Sequence, residues 1–266
     1  MKHVGLNVAA DLLYTISYTG VNGGMVIAVA DDPGMHSSQN EQDSRVYGKF
    51  ALIPIMEPSN QQEAYDMTRY AFDLSEQMGT PVLLRITTRL AHSRAGVEPK
   101  EAKAENEMRL PEDKRQFVLL PAIAKKRYRL LLEKQTAFEE ASDNSSFNQY
   151  IDGADKSMGI VACGIGYNYL MEVFGGNCPY PVVKVSQYPL PRKMITKLAE
   201  STEKLLVLEE GYPIVEEALK GYLEKECVLG RLDGTLPRDG ELNPDHVAKA
   251  FGLPSIEGSP VPEIVA

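Results

Sequence analysis

The sequence predicts an α/β protein with parallel sheets in two successive blocks, and three observations carry that expectation. Short β-branched runs alternate with amphipathic stretches, the joins between them are short, and the same rhythm restarts after a polar interval in mid-chain. Strand, helix, strand with short joins is a βαβ unit, which builds parallel sheets through right-handed crossovers.

In the first block, Met25-Val26-Ile27-Ala28-Val29-Ala30 follows Gly23-Gly24 and stops at Asp31-Asp32-Pro33, the pattern of a strand buried on both faces. Phe50 to Met56 and Pro81 to Ile86 predict two further strands. Between them, Ser59 and Gln62 form a capping-box pattern that starts a helix. Ala64, Met67, Ala71 and Leu74 give that helix its apolar face, and Gly79 and Pro81 end it. The polar run Glu98 to Glu105 reads as a linker, leading to a helix from Ala122 to Ala141 whose Lys125, Lys126, Arg127 and Arg129 read as a solvated face.

The second block opens with a strand at Met158 to Cys163, the turn Gly164-Ile165-Gly166 and a helix through Val173. Strands follow at Pro181 to Ser186 and Lys204 to Leu208. A helix after Tyr212-Pro213 carries acidic residues early, as the helix dipole favours. From Gly230 onward Gly, Pro and Asp dominate until His246 to Phe251, and Ser259 to Pro262 reads as the start of a linker. The expected division is 1–97, a helical linker 98–156, a second domain 157–230 and a tail 231–266.

Composition narrows the function classes. With 266 residues, 43% hydrophobic and 24% charged, the chain can build a packed core and is not globally disordered. A net charge of -9 without a concentrated basic face excludes backbone-driven nucleic-acid binding. No apolar run reaches the roughly 18 residues of a membrane span, and no apolar segment of a signal peptide follows Met1, so a cytoplasmic protein is expected. Cys163, Cys178 and Cys227 are odd in number and lack a C-x-x-C pair, so they read as small buried hydrophobes rather than disulfide, zinc or cluster ligands. There is no P-loop, and Gly164-x-Gly166 has Tyr169 where a dinucleotide fingerprint needs glycine, which leaves a tight βα turn.

The segment from Asp31 to Arg45 is almost wholly polar or turn-forming and directly follows a strand, at the carboxyl end where parallel sheets bind ligands. It carries a His, two Ser and several amides at His36, Ser37, Ser38, Gln39 and Asn40, together with Arg45, which favours a site over a bare connection. Two other polar clusters are expected to converge on it. One is Lys2, His3 and Asn7; the other is Thr87 to Arg94, with Arg89, His92 and Arg94.

In these segments the sequence resembles the α subunit of the indolepyruvate:ferredoxin oxidoreductases, within the thiamine-diphosphate-dependent 2-oxoacid:ferredoxin oxidoreductase family. The resemblance rests on Met1-Lys2-His3-Val4-Gly5-Leu6-Asn7, on Asp31-Asp32-Pro33-Gly34-Met35-His36-Ser37-Ser38-Gln39-Asn40-Glu41-Gln42-Asp43, and on Gly79-Thr80-Pro81 through His92-Ser93-Arg94. It implies an incomplete thiamine pyrimidine-binding-type domain followed by a transketolase C-terminal-like α/β domain. The implied activity is oxidative decarboxylation of a 2-oxo acid to an acyl-CoA.

The resemblance also implies roles. His3, His36 and Arg89 would be catalytic, while Lys2, Asn7, Ser37, Ser38, Gln39, Asn40, His92 and Arg94 would line the substrate and cofactor pocket, an arginine pairing with the substrate carboxylate. Thiamine diphosphate with Mg2+ and iron–sulfur clusters are implied for the complete enzyme. No Gly-Asp-Gly motif for the diphosphate occurs, so this chain alone is expected to hold no cofactor and no metal, and to be inactive. Implied partners are a β subunit, ferredoxin, CoA and the 2-oxo acid, and an unpaired sheet edge is expected to drive self-association. Two other readings stay open: a non-catalytic assembly or regulatory module of the same fold, and a family member with another substrate preference.

Overall fold

A computed structural model describes residues 1–221, 228–231, 233–237 and 240–254. Cys227 and the segment Ser259 to Pro262 lie outside the described residues. Two sheets form the frame. The first carries β1 (Val26–Asp31), β2 (Ile55–Met56), β3 (Val82–Thr87) and β7 (Gln187–Tyr188) in the order β1-β3-β2-β7. The second carries β4 (Gln149–Ile151), β5 (Gly159–Cys163), β6 (Val182–Val185), β8 (Leu205–Leu208) and β9 (Val228–Leu229) in the order β4-β6-β5-β8-β9. The predicted parallel pairing holds for β1 with β3, β2 with β3, and β5 with β6 and β8. The edge strands β4 and β7 pair antiparallel and went unseen in the sequence, because three and two residues are too short for a periodic signal.

Helices α1 (His3–Val8), α2 (Ala10–Thr19) and α3 (Ser44–Ala51) flank β1, and α4 (Gln61–Met78) covers the other face of the first sheet. A short helix, α5 (Thr88–His92), leaves the end of β3. After a segment without regular structure come a 3-10 turn at Lys114–Phe117, α6 (Pro121–Glu133) and α7 (Gln135–Asp143). The second sheet is covered by α8 (Ile165–Val173), α9 (Arg192–Ser201), α10 (Ile214–Lys220) and α11 (Pro244–Ala250). None of the described helices is long and apolar enough to cross a membrane.

Several expectations are corrected. Phe50 to Met56 is not one strand: Asp43 caps α3 by accepting from the Arg45 amide, the helix runs to Ala51, and left-handed Leu52 reverses the chain before the short β2. β1 is an edge strand with exposed Ala28 rather than one buried on both faces. The α4 cap lies one residue later than predicted, at Asn60, whose side chain accepts from the Glu63 amide while Glu63 receives the Ser59 amide and hydroxyl. The helix expected from Ala122 to Ala141 is two, broken at Lys134, whose ammonium donates to the last carbonyls of α4 at Met78 and Gly79. Arg127 likewise leaves the solvated face and caps α2 by donating to the carbonyls of Tyr18 and Thr19.

Strand periodicity explains how the core is shared. Along β3, Val82 and Leu84 face Met67, Ala71 and Leu74 of α4, whereas Leu83 faces a core with Leu6, Leu13, Val161, Val185 and Val207. That second core therefore contains side chains from both sheets. The far face of the second sheet packs Ile160, Leu206 and Leu208 against Leu170 of α8, together with Leu236, Leu242 and Val247 from the segment read as a tail. Leu170 has no exposed surface, so Leu170→Ala is expected to lower stability by about 2–5 kcal/mol through lost transfer energy and a residual cavity. Urea denaturation followed by circular dichroism measures this, with the midpoint falling and the slope unchanged.

Candidate functional site

The period of two that buries Leu83 also sends Arg85 into the join between the sheets, and the same count along β8 sends Glu209 to the Val207 side and Glu210 to the Leu208 side. Arg85 and Arg45 are both almost fully buried there, surrounded by Asp31, Asp43, Glu57 and Glu209. Arg85 donates from Nε to Asp31 at 2.6 Å, to Glu57 through Nη1, and to the Glu210 carbonyl at 2.9 Å. Arg45, on the first turn of α3, donates to Asp43 at 2.6 Å, to Glu209 at 2.9 Å and to the carbonyls of Glu210 and Tyr212 at 2.9 Å each.

The acids also hold the backbone in place. Asp31 accepts from the amide and hydroxyl of Ser44, and Glu209 accepts from the amides of Val215 and Glu216 at the start of α10. Tyr188 donates to Glu57 at 2.7 Å. Two glycines make room. A Cβ on Gly164 would stand 2.5 Å from the Glu57 side chain, and one on Gly211, at φ +93°, 2.6 Å from the Asp43 carboxylate. Gly164-x-Gly166 is thus a packing device at a tight turn, as its incomplete fingerprint implied.

Burial and charge divide the acids. Burial pushes Asp43 up, but the fields of Arg45 and Arg85 outweigh it and hold the carboxyl down at about 2. Burial wins at Asp31 and Glu209, which are raised despite Arg85 and Arg45. Glu210 is pushed up to about 7 by burial, with Arg85 opposing and Glu241 adding repulsion.

Above this buried layer, the loop after β1 is organised by Asp32. Its carboxylate accepts from the amides of His36 and Ser37 and from the Thr88 hydroxyl at 2.8 Å, and it lies 3.6 Å from the Lys2 ammonium. Burial raises the Asp32 pKa, and donors from Ser38, Ser37, Thr88 and His36 reverse this and take it far below the carboxylate range. Lys2 donates to the Ser37 hydroxyl at 3.0 Å, and buried His3 donates from Nε2 to the Asn40 carbonyl at 3.0 Å. His36 and Arg89 meet at Glu241, Arg89 through two bonds of 2.8 and 2.7 Å and His36 through one of 3.1 Å.

Eight of the eleven residues singled out in the sequence therefore touch this loop, its Asp32 hub or Glu241: Lys2, His3, His36, Ser37, Ser38, Asn40 and Arg89 as described, and Asn7 through Tyr47, whose hydroxyl donates to it at 2.7 Å beside Gln42. Gln39, His92 and Arg94 are exposed and make no hydrogen bond or ion pair among the described residues. The sequence reading singled out the segment from Asp31 to Arg45 but gave no role to Asp31, Asp32, Asp43 or Arg45 within it, and it missed Glu57, Arg85, Glu209, Glu210 and Glu241. A charged residue inside an apolar strand, Arg85, and the pair Glu209-Glu210 straight after Leu205 to Leu208 were available signals. Two open concavities of about 300 and 950 Å³ lie elsewhere, near Gly23 at the start of β1 and residues 106–112, and no predicted site residue lines them.

No family model matches the chain. Over 95% of its length it is 43% identical to the indolepyruvate oxidoreductase subunit IorA of Archaeoglobus fulgidus, and over 95% it is 44% identical to that of Pyrococcus abyssi. It spans 42% and 41% of those two relatives, about two fifths of their length. A solved 2-oxoglutarate:ferredoxin oxidoreductase from Magnetococcus marinus superposes with a TM-score of 0.65, covering 94% of this chain and 52% of that one at 11% identity, a likeness of fold.

Two outcomes test the buried layer. Arg85→Ala leaves Asp31 and Glu57 without their cation and is expected to cost about 3–5 kcal/mol in chemical denaturation. Glu210 carries a pKa raised from 4.5 to about 7, so the folded state holds a proton that the unfolded state loses. Its contribution is full below about pH 4.5 and is lost as pH rises through 7. Glu210→Gln is therefore expected to remove on the order of 2–3 kcal/mol of the fall in stability between pH 5 and pH 8, read by parallel melts of both proteins.

Proposed function

We propose that this chain, a relative of the indolepyruvate oxidoreductase subunits IorA over nearly its whole length, forms part of the active-site wall in the α subunit of a 2-oxoacid:ferredoxin oxidoreductase. The observation that carries the reading is the meeting of Arg89 and His36 at the carboxyl end of the first sheet. There they present nitrogen donors to a single carboxylate, now that of Glu241. A 2-oxo acid offers a carboxylate of the same geometry, and a guanidinium with two parallel donors is the side chain suited to it.

In this reading Arg89 and His36 bind and orient the substrate carboxylate. Lys2 and the hydroxyls and amides of Ser37, Ser38 and Asn40 line the approach, with Asp32 fixing the loop and buried His3 holding it from beneath through the Asn40 carbonyl. Asn7 belongs to the rim through Tyr47. Gln39, His92 and Arg94 remain candidates for contacts with substrate or partner, since all three are exposed.

Thiamine diphosphate supplies the carbanion chemistry on 2-oxo acids in enzymes of this class, and the protein supplies orientation and charge. Among the described residues no group of three or more His, Cys, Asp or Glu side chains is placed to hold a metal ion. An aryl pyruvate as substrate, a β subunit, ferredoxin and CoA as partners, iron–sulfur clusters and a cytoplasmic location belong to the whole enzyme in this proposal.

Self-association is supported by the exposed apolar side chains on the helices flanking β1: Val8 at 90%, Leu12 at 59% and Phe50 at 56%. Light scattering on the isolated chain is expected to give a mass above 29.4 kDa, and a sharp monomer contradicts this part of the proposal. For the site, Arg89→Gln in a full-length enzyme carrying this segment is expected to raise KM for an aryl pyruvate about thirtyfold, equivalent to about 2 kcal/mol of charge-assisted hydrogen bonding. His36→Ala is expected to act in the same direction. An unchanged KM in both variants sinks the reading.

A further inference from the structure

Glu241 sits where a ligand's carboxylate would sit. Its two oxygens receive Arg89 Nε at 2.8 Å, Arg89 Nη2 at 2.7 Å and His36 Nε2 at 3.1 Å. The backbone that carries it is held. Next to it Leu242 is fully buried in the core on the far face of the second sheet, Asn243 caps α11, and buried Arg231 donates to the Gly240 carbonyl at 3.4 Å. The Glu241 amide also packs against Gly34, where a Cβ would stand 3.0 Å from it. Its carboxylate, by contrast, is joined to side chains that solvent reaches, Arg89 at 38% exposure and His36 at 34%, while Glu241 itself is 13% exposed. A rotation about its own side-chain bonds frees both partners without moving the chain. Nearby lies the buried carboxyl of Glu210, which Glu241 repels.

We propose that Glu241 is a built-in competitor for the carboxylate seat of Arg89 and His36, a specificity-determining residue that only a ligand bearing its own carboxylate displaces. This rests on the reading of Arg89 and His36 as that seat. The displaced Glu241 turns to solvent and the ligand's carboxylate takes over the paired hydrogen bonds of Arg89. A neutral analogue has nothing to exchange for a broken ion pair, so the seat rejects it. The affinity of the seat is thus set by an exchange of one carboxylate for another, a near-balanced process that keeps binding weak and reversible.

The test is a titration of the isotope-labelled chain with phenylpyruvate, and separately with its methyl ester, followed through the backbone amide resonances of His36 and Ser37. Wild type is expected to saturate weakly with the acid and not with the ester. Glu241→Gln, which keeps the shape and loses the charge, is expected to bind the acid at least tenfold more tightly. Glu241→Asp, a carboxylate too short to reach all three donors, is expected to fall between them, and the double variant Arg89→Gln/Glu241→Gln to lose binding. Thermal melts check that each variant is folded. Equal affinity in wild type and Glu241→Gln, with Arg89→Gln still weakening both, overturns the competitor while leaving the seat. Absence of acid binding in both, or binding indifferent to Arg89, overturns the seat and the competitor with it. Equal binding of acid and ester overturns the carboxylate exchange.

Discussion

Two guanidiniums buried between two sheets are the constraint on which the rest of this molecule depends. Arg45 and Arg85 have no route to water, so each must be satisfied by what the fold brings to it, and what it brings comes from separate parts of the chain: Asp31 and Glu57 at the ends of β1 and β2, Asp43 before α3, and Glu209 with the Glu210 carbonyl after β8. An arrangement that failed to dock the second sheet on the first would leave charges buried and unpaired, at a cost of several kcal/mol each. The ion network therefore specifies the relative placement of the sheets, while the shared apolar core beneath it supplies the favourable energy. Burial raises the pKa values of Asp31, Glu209 and Glu210, against the fields of Arg85 and Arg45, and so eases the excess of acids over arginines.

The candidate site is built directly on that layer. Asp31 belongs to the network and its neighbour Asp32 organises the loop above it, so the two successive acids at the end of β1 divide the work between the join and the site. Glu209 and Glu210 divide in the same way, one reaching Arg45 and the other facing the Leu208 side near Tyr169 and Glu241. Strand alternation alone accounts for both pairs. The loop from Asp32 to Asp43 is consequently fixed at both ends by buried charge, which leaves its middle, with His36 and Ser37, positioned but accessible.

Much of this was legible in the sequence, and the limits have physical causes. The parallel strands β1, β3, β5, β6 and β8 and the helix α4 announced themselves because apolar runs and capping residues are local signals. The end of α3, Phe50 and Ala51, was misread as the start of a strand because it runs into the apolar residues up to Met56, and the deciding feature is a cap by Asp43 whose carboxylate also serves Arg45. The polar loop, with Lys2 and His3 beside it, was visible as a concentration of chemistry at a strand end. Glu241 was not, since its meaning comes only from a contact 152 positions away with Arg89. For the same reason His3 looked reactive in the sequence, whereas its burial under the Asn40 carbonyl fits an anchor.

The most direct test of the account is hydrogen exchange read segment by segment in the wild-type chain and in Arg45→Met. If the buried arginines join the sheets, amides of β3 and β8 share one high level of protection in the wild type and lose it together in the variant. Protection of β8 unchanged in Arg45→Met while β3 and α3 open would mean that the sheets stand independently, and that result would contradict the central claim.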